Sequence, residues 1–313
     1  MYESQSVGET AETTPYGAKI VAGSVPFRGE AASDRKIKSV NALWKGVGQT
    51  PPPDAEAYEA ALSARAPNAK EVIRWAANRA CLASFCKAEA FTLSPVLLHG
   101  PTGVGKTTLA RLLADQAGLA SQVLSVSGKN DPRTLLGTSP GYTTGLPALP
   151  AQIMARTGRS NPVIILDEID KHASDPARGS WVDAMLPFLE TSTSCGLFDE
   201  FLGVDVDFSE VSWIFTANSL ESLPNSFLDR LTCFELTEFV GVVSLGNQAQ
   251  AAEGYVCAIA EILKLPPKTV AKVIGALGDP VDLPAHLSPR RARSVLIDRF
   301  AEALRVNPGF MSS

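Results

Sequence analysis

The chain has 313 residues, 45% of them hydrophobic and 19% charged, with a formal net charge of −5. That length buries a sizeable core, and the composition excludes a disordered or fibrous chain. The acid excess disfavours nonspecific nucleic-acid binding through overall charge, leaving only a local basic patch open.

Residues 1–53 are rich in Gly, Ser, Thr and Pro and end in Thr50-Pro51-Pro52-Pro53, a stop for any helix. They are expected as an extended or partly disordered arm, either a passive tail or a strap across a neighbouring subunit. Asp54 is a plausible N-cap for a short Ala-rich helix ending before Pro67, and Asn68 for a longer one through Val72, Ile73, Trp75, Ala76, Arg79, Cys81 and Phe85.

Short apolar runs then alternate with helical patterns. Pro95–His99, Gln122–Val126, Val163–Asp167, Val211–Thr216 and Cys233–Leu236 read as strands, and Thr107–Ala117, stopped by Gly118, as a helix. Apolar strands separated by helices predict a parallel sheet covered on both faces. After Thr237 the strand signal fades. Helical candidates at 247–264, 267–277 and Ser288–Leu304 suggest a small all-helical second domain.

Residues 100–107, Gly-Pro-Thr-Gly-Val-Gly-Lys-Thr, fit G-x-x-x-x-G-K-[ST] at every fixed position, with a strand before and a helix after. Such a loop turns successive N–H groups toward a phosphate at the positive end of a helix. Lys106 would reach the β- and γ-phosphates and Thr107 would offer its hydroxyl to Mg²⁺. Residues 163–170, Val-Ile-Ile-Leu-Asp-Glu-Ile-Asp, deliver carboxylates at a strand's C-terminal tip, where open α/β sheets bind ligands. Asp167 suits Mg²⁺ held largely through water, and Glu168 suits polarising an attacking water. Asp170 and Lys171 read as surface or subunit-contact residues.

Residues 211–236 carry an apolar strand ending in Thr216-Ala217-Asn218, then Pro224, then Phe227-Leu228-Asp229-Arg230. Together with Asn161–Lys171 they resemble the AAA+ module of Lon-type ATPases, over about residues 95–300. The resemblance implies an α/β fold of the AAA+ P-loop NTPase type: a five-stranded parallel sheet sandwiched by helices, plus a small all-helical C-terminal lid. The expected divisions are the arm at 1–53, a helical lead-in and large ATPase subdomain at 54–236, and the lid at 237–313.

The resemblance also assigns roles. Gly100, Pro101, Thr102, Gly103, Val104, Gly105, Lys106, Thr107, Thr108 and Asp167 would bind ATP and Mg²⁺, with Thr107 and Asp167 on the metal side. Glu168, Asn218 (sensor 1), Arg230 (the arginine finger, acting on the next subunit) and Arg290 (sensor 2, with Arg291 as the alternative) would serve hydrolysis. Two arginines beside Pro289 are unfavourable at a helix start unless an anion meets them. In Gly137–Pro147, Tyr142 falls at the aromatic position of a loop that lines a central pore and grips polypeptide. Here the basic pair is missing, Thr143 follows the Tyr, and the loop is one residue longer. Thr191–Phe198 is a candidate second inward loop.

The expected function is an ATP-hydrolysing motor that assembles into a homo-oligomeric ring, six-membered by resemblance, and remodels or threads protein substrates, with no peptidase domain of its own. A nucleic-acid-associated loader or mobile-element motor, or an ATP-dependent scaffold, are the alternatives. The absence of a signal-like start, the odd count of five scattered cysteines and the lack of an apolar run of about 20 residues point to a cytoplasmic chain with no membrane span.

Overall fold

The computed structural model describes residues 17, 18, 21, 38–127, 132–140, 145–171 and 180–237. The N-terminal pieces are β1 (Gly17–Ala18), α1 (Ala42–Lys45) and β2 (Val47–Gly48), with β1 and β2 antiparallel. Two helices follow, α2 (Ala55–Arg65) and α3 (Lys70–Phe85). Asp54 caps α2 as expected, its Oδ1 accepting the Ala57 N–H at 2.8 Å. The longer helix departs from expectation at its start. Ala69 holds the cap position of α3, one residue past Asn68, and makes no side-chain cap bond.

The central sheet is built from β3 (Val96–His99), β4 (Ser121–Ser125), β5 (Val163–Asp167), β8 (Ser212–Ala217) and β9 (Thr232–Glu235). The intervening β6 (Leu197–Asp199) and β7 (Val204–Val206) form a separate antiparallel hairpin. All five sheet strands run parallel in the order β4-β5-β8-β3-β9. Each predicted sheet strand is present, within one residue at either end.

Side-chain alternation explains why the three central strands, β3, β5 and β8, are so apolar, while the edge strands β4 and β9 are only partly buried. Leu97, Ile164, Leu166, Trp213 and Phe215 pack into a core on one face. Val96, Leu98, Val163, Ile165 and Ile214 pack into a second core on the other. A strand buried on both faces has no polar side to show. The second core is covered by α2, α3 and α4 (Lys106–Gln116), through Leu62, Ile73, Leu109 and Leu113. The first is covered by α5 (Leu149–Thr157), α6 (Trp181–Met185) and α1. Two one-turn helices remain, α7 (Thr191–Ser194) and α8 (Asn225–Leu228).

Part of the expected arm is folded. Val40, Leu43, Trp44 and Val47 are buried in the first core, so 38–50 is not an extended tail. Leu43 and Trp44 sit on α1, with Val40 just before it and Val47 in β2, and all four reach the same core. Fully buried Asn161 pins this stretch to the sheet. Its Oδ1 accepts the Thr50 N–H at 2.9 Å, and its Nδ2 donates to the carbonyls of Thr50 (2.8 Å) and Phe91 (2.9 Å). Among the described residues no helix is long and apolar enough to cross a membrane. The expected lid over 237–313 lies, but for Thr237, outside the described residues.

Candidate nucleotide site at the strand tips

The candidate site forms where β3, β5 and β8 end side by side. Gly100 follows β3 with φ +141°, and its N–H donates to the Ala217 carbonyl at the tip of β8. A Cβ on Gly100 would stand 2.1 Å from the Leu236 carbonyl oxygen, so only glycine fits against that backbone. Gly105 takes a left-handed φ of +102° and opens α4, whose first residue is Lys106. The loop therefore ends at the N-terminus of an 11-residue helix, with the helix dipole's positive end facing the turn.

Lys106 is buried. Its Nζ donates to the carbonyls of Gly100 (2.7 Å) and Pro101 (2.9 Å) and to Asn218 Oδ1 (2.9 Å). Burial lowers its pKa; the charges of Asp170, Asp167 and Glu168, in that order, oppose the shift. Thr102 also donates to Asn218 Oδ1, at 3.3 Å. The structure thus brings Asn218 to the phosphate loop. Thr108 lies exposed in the first turn of α4.

On the acidic side, Thr107 Oγ1 donates to Asp167 Oδ1 at 2.7 Å. Two hard oxygen donors therefore stand together, the donor type that suits Mg²⁺. Glu168 has a left-handed backbone, φ +62°. That conformation costs a residue with a Cβ about 1–2 kcal/mol and needs support from its surroundings. Its carboxylate accepts from Lys171 Nζ at 2.6 Å, a contact with both partners partly exposed.

Two residues of this cluster escaped the sequence reading. Fully buried Thr216 donates from Oγ1 to Asp167 Oδ1 at 2.5 Å and accepts the Glu168 N–H at 3.0 Å. Asp170 is not a simple surface residue. Its Oδ2 accepts the Asn218 N–H at 3.0 Å, its backbone carbonyl accepts from Ser222 Oγ, and its buried Oδ1 has no hydrogen-bond partner. The missing signal was strand order. The sequence does not say that β5 neighbours β8, which is what sets Thr216 beside Asp167.

Arg230 stands apart from this cluster. Its Nε donates to Glu190 Oε1 at 2.7 Å, and Nη1 to the Ser226 carbonyl. Tyr142 and Arg290 lie outside the described residues. Thr191–Phe198 is not one loop but α7 leading into β6, with Phe198 exposed. Beside it, Asp199 accepts N–H bonds from Ala148 (2.7 Å), Phe201 (2.9 Å) and Leu202 (2.8 Å), fastening the hairpin to the chain just after the Tyr142 loop. Burial raises the Asp199 pKa, against those three donors. An open cavity of about 280 Å³ lies at the end of β9, lined by Asn68, Lys70, Glu235, Leu236 and Thr237. Leu236 links it to Gly100, the start of the phosphate loop.

Residues 96–241 match the family model described as ATPase family associated with various cellular activities (AAA). The chain carries an AAA ATPase domain. Its similarity to Lon proteins covers the same region. The peroxisomal Lon protease homologue 2 of Pichia angusta is 37% identical over 144 residues, 46% of this chain and 15% of that protein. The Lon protease of Metamycoplasma arthritidis is 36% identical over 156 residues, 50% of this chain and 19% of that protein. The Lon protease of Syntrophus aciditrophicus is 39% identical over 146 residues, 46% and 18%. The AAA domain resembles the ATPase module of these proteins, and the matched stretch spans under a fifth of each relative's length. Among solved structures, a closed state of Hsp104 with ATPγS and FITC-casein shares the fold at a TM-score of 0.54 and 17% identity, over 81% of this chain and 48% of that one.

Proposed function

We propose that the chain hydrolyses ATP with Mg²⁺ as the subunit of a homo-oligomeric ring, hexameric by family resemblance, that remodels or threads protein substrates in the cytoplasm. The observation that carries the reading is the junction at Lys106. One ammonium reaches the phosphate loop and Asn218, while Thr107 and Asp167 meet beside it and Glu168 follows. The residues fit the ligand: a glycine cradle that a Cβ would fill, a helix N-terminus, a buried cation and two adjacent hard oxygens.

In this reading the loop from Gly100 to Thr108 holds the phosphates, with Lys106 on the β- and γ-oxygens. Thr107 and Asp167 hold Mg²⁺ largely through water, and the ion when bound neutralises charge on the phosphate oxygens. Glu168 accepts a proton from the attacking water, and Asn218 holds that water against the γ-phosphate. The cavity at Asn68, Lys70 and Thr237 takes the nucleoside side of ATP. Arg230 acts on the neighbouring subunit's site, Arg290 reaches the γ-phosphate from the lid, and Tyr142 contacts the threaded polypeptide.

The test is Glu168→Gln, assayed for ATP hydrolysis and weighed by mass photometry with and without ATP. The expected result is retained ATP binding, a kcat lower by about 10²–10⁴, and ATP-dependent conversion to a closed ring. A Glu168→Gln chain that turns over ATP at the wild-type rate sinks the hydrolytic assignment. A persistent monomer sinks the ring.

A further inference from the structure

The parallel ladder between β5 and β8 runs from Val163↔Ser212 to Leu166↔Phe215. One residue further on, the two chains part to carry Glu168 and Asn218 over the site. Side chains replace the backbone ladder there, and they do so in both directions. Thr216 of β8 takes the Glu168 N–H of the β5 tip and also bonds Asp167. Asp170, three residues past β5, takes the Asn218 N–H of the β8 tip. Each strand end therefore has its outermost amide closed by a side chain of the other.

We propose that Thr216 and Asp170 form a reciprocal clasp that sets the separation and orientation of Glu168 and Asn218, and so act as positioning residues for hydrolysis. This rests on the reading above, in which Glu168 and Asn218 flank the attacking water. Three features require such a device. Glu168 is held at φ +62°, where a residue with a Cβ does not rest unaided. Thr216 is fully buried with its hydroxyl used both as donor and as acceptor. Asp170 bonds a backbone amide instead of turning to solvent, while its second oxygen is buried without a hydrogen-bond partner. Thr216 has no hydrogen bond to the Lys106 ammonium among the described contacts, so its effect should fall on the chemical step, whereas the Asp170 charge also acts on Lys106. A misplacement of about 1 Å at reacting groups can cost about 10²-fold in rate.

The test uses the full chain and Mg-ATP. Thr216→Val keeps the side-chain shape and removes both hydrogen bonds; Thr216→Ser keeps the hydroxyl. Thr216→Val should lower kcat by about 10- to 100-fold while the ATP dissociation constant stays within about threefold of wild type. Thr216→Ser should recover most of the rate. Asp170→Ala should lower kcat likewise; its charge also acts on Lys106, so the unchanged ATP affinity is required of Thr216→Val alone. The double variant should be slower than either single by less than the product of the two losses. The clasp is overturned if Thr216→Val turns over within about twofold of wild type, if binding falls in proportion to kcat, or if Thr216→Ser is as slow as Thr216→Val. A wild-type chain that binds Mg-ATP without hydrolysing it overturns the underlying reading as well. An active wild type with an equally active Thr216→Val removes the clasp alone.

Discussion

The strand-tip cluster and the Arg230 region are built on opposite principles. At the tips, Lys106, Asn218, Thr216, Asp167, Thr107 and Asp170 are bonded to one another or to each other's backbone within a single chain. Such contacts are partly buried and most involve a charged group, so a lost partner leaves a costly unsatisfied group. Arg230 lies in the open, paired with a partly exposed Glu190. Pairs of that kind contribute about 0–1 kcal/mol and are screened by salt. The first region is pre-organised and hard to rearrange. The second holds a cation loosely enough for a stronger anion to take it, as a neighbouring subunit's phosphate would.

The sharpest way to break this contrast is Arg230→Ala. If Arg230 works on the next subunit, the variant should keep ATP binding and lose about 10³–10⁵ in turnover, measured by steady-state hydrolysis at saturating ATP. Ordinary turnover would make Arg230 a surface residue. Lys106→Ala should come next in size, raising the ATP dissociation constant more than tenfold, since removing one partner of a buried charged contact costs more than about 1.4 kcal/mol.

The pH dependence of wild-type binding sharpens the same point. Burial lowers the Lys106 pKa, so its ammonium is fully charged only below that depressed value. Affinity for ATP should therefore fall as pH rises through that depressed pKa, at a lower pH than an ordinary lysine would titrate. Isothermal titration across the alkaline range reads this, and a flat profile up to lysine's ordinary titration contradicts it. The smallest effect is expected for Glu190→Ala. Folding stability by chemical denaturation should change by less than about 1 kcal/mol, and a larger loss would show the Arg230 contact to be structural.

What the sequence made legible follows from local chemistry. The three central strands, β3, β5 and β8, announce themselves because both faces are buried, as Ile164 and Ile165 on opposite sides of β5 illustrate. The phosphate loop is legible because Gly100, Gly105 and Lys106 each meet a local backbone or charge requirement. Asn218 was found through family pattern and meets Lys106 in space. Two kinds of feature stayed hidden. Thr216 and Asp170 depend on β5 lying next to β8, a long-range fact that no local pattern encodes. The stretch 38–50 was masked by its Gly- and Pro-rich surroundings, although Val40, Leu43, Trp44 and Val47 already carried helical spacing. The Asn68 cap failed for a different reason: a capping residue type identifies a helix start only to within a residue or two.

The central claim is that each nucleotide site is finished by the neighbouring subunit. Mixing Arg230→Ala chains with Lys106→Ala chains tests it most directly. Neither variant should turn over ATP alone. In mixed rings, some interfaces join an intact Lys106 site to an intact Arg230, and ATP hydrolysis should return there. Mixed rings verified by mass that stay inactive would contradict the account.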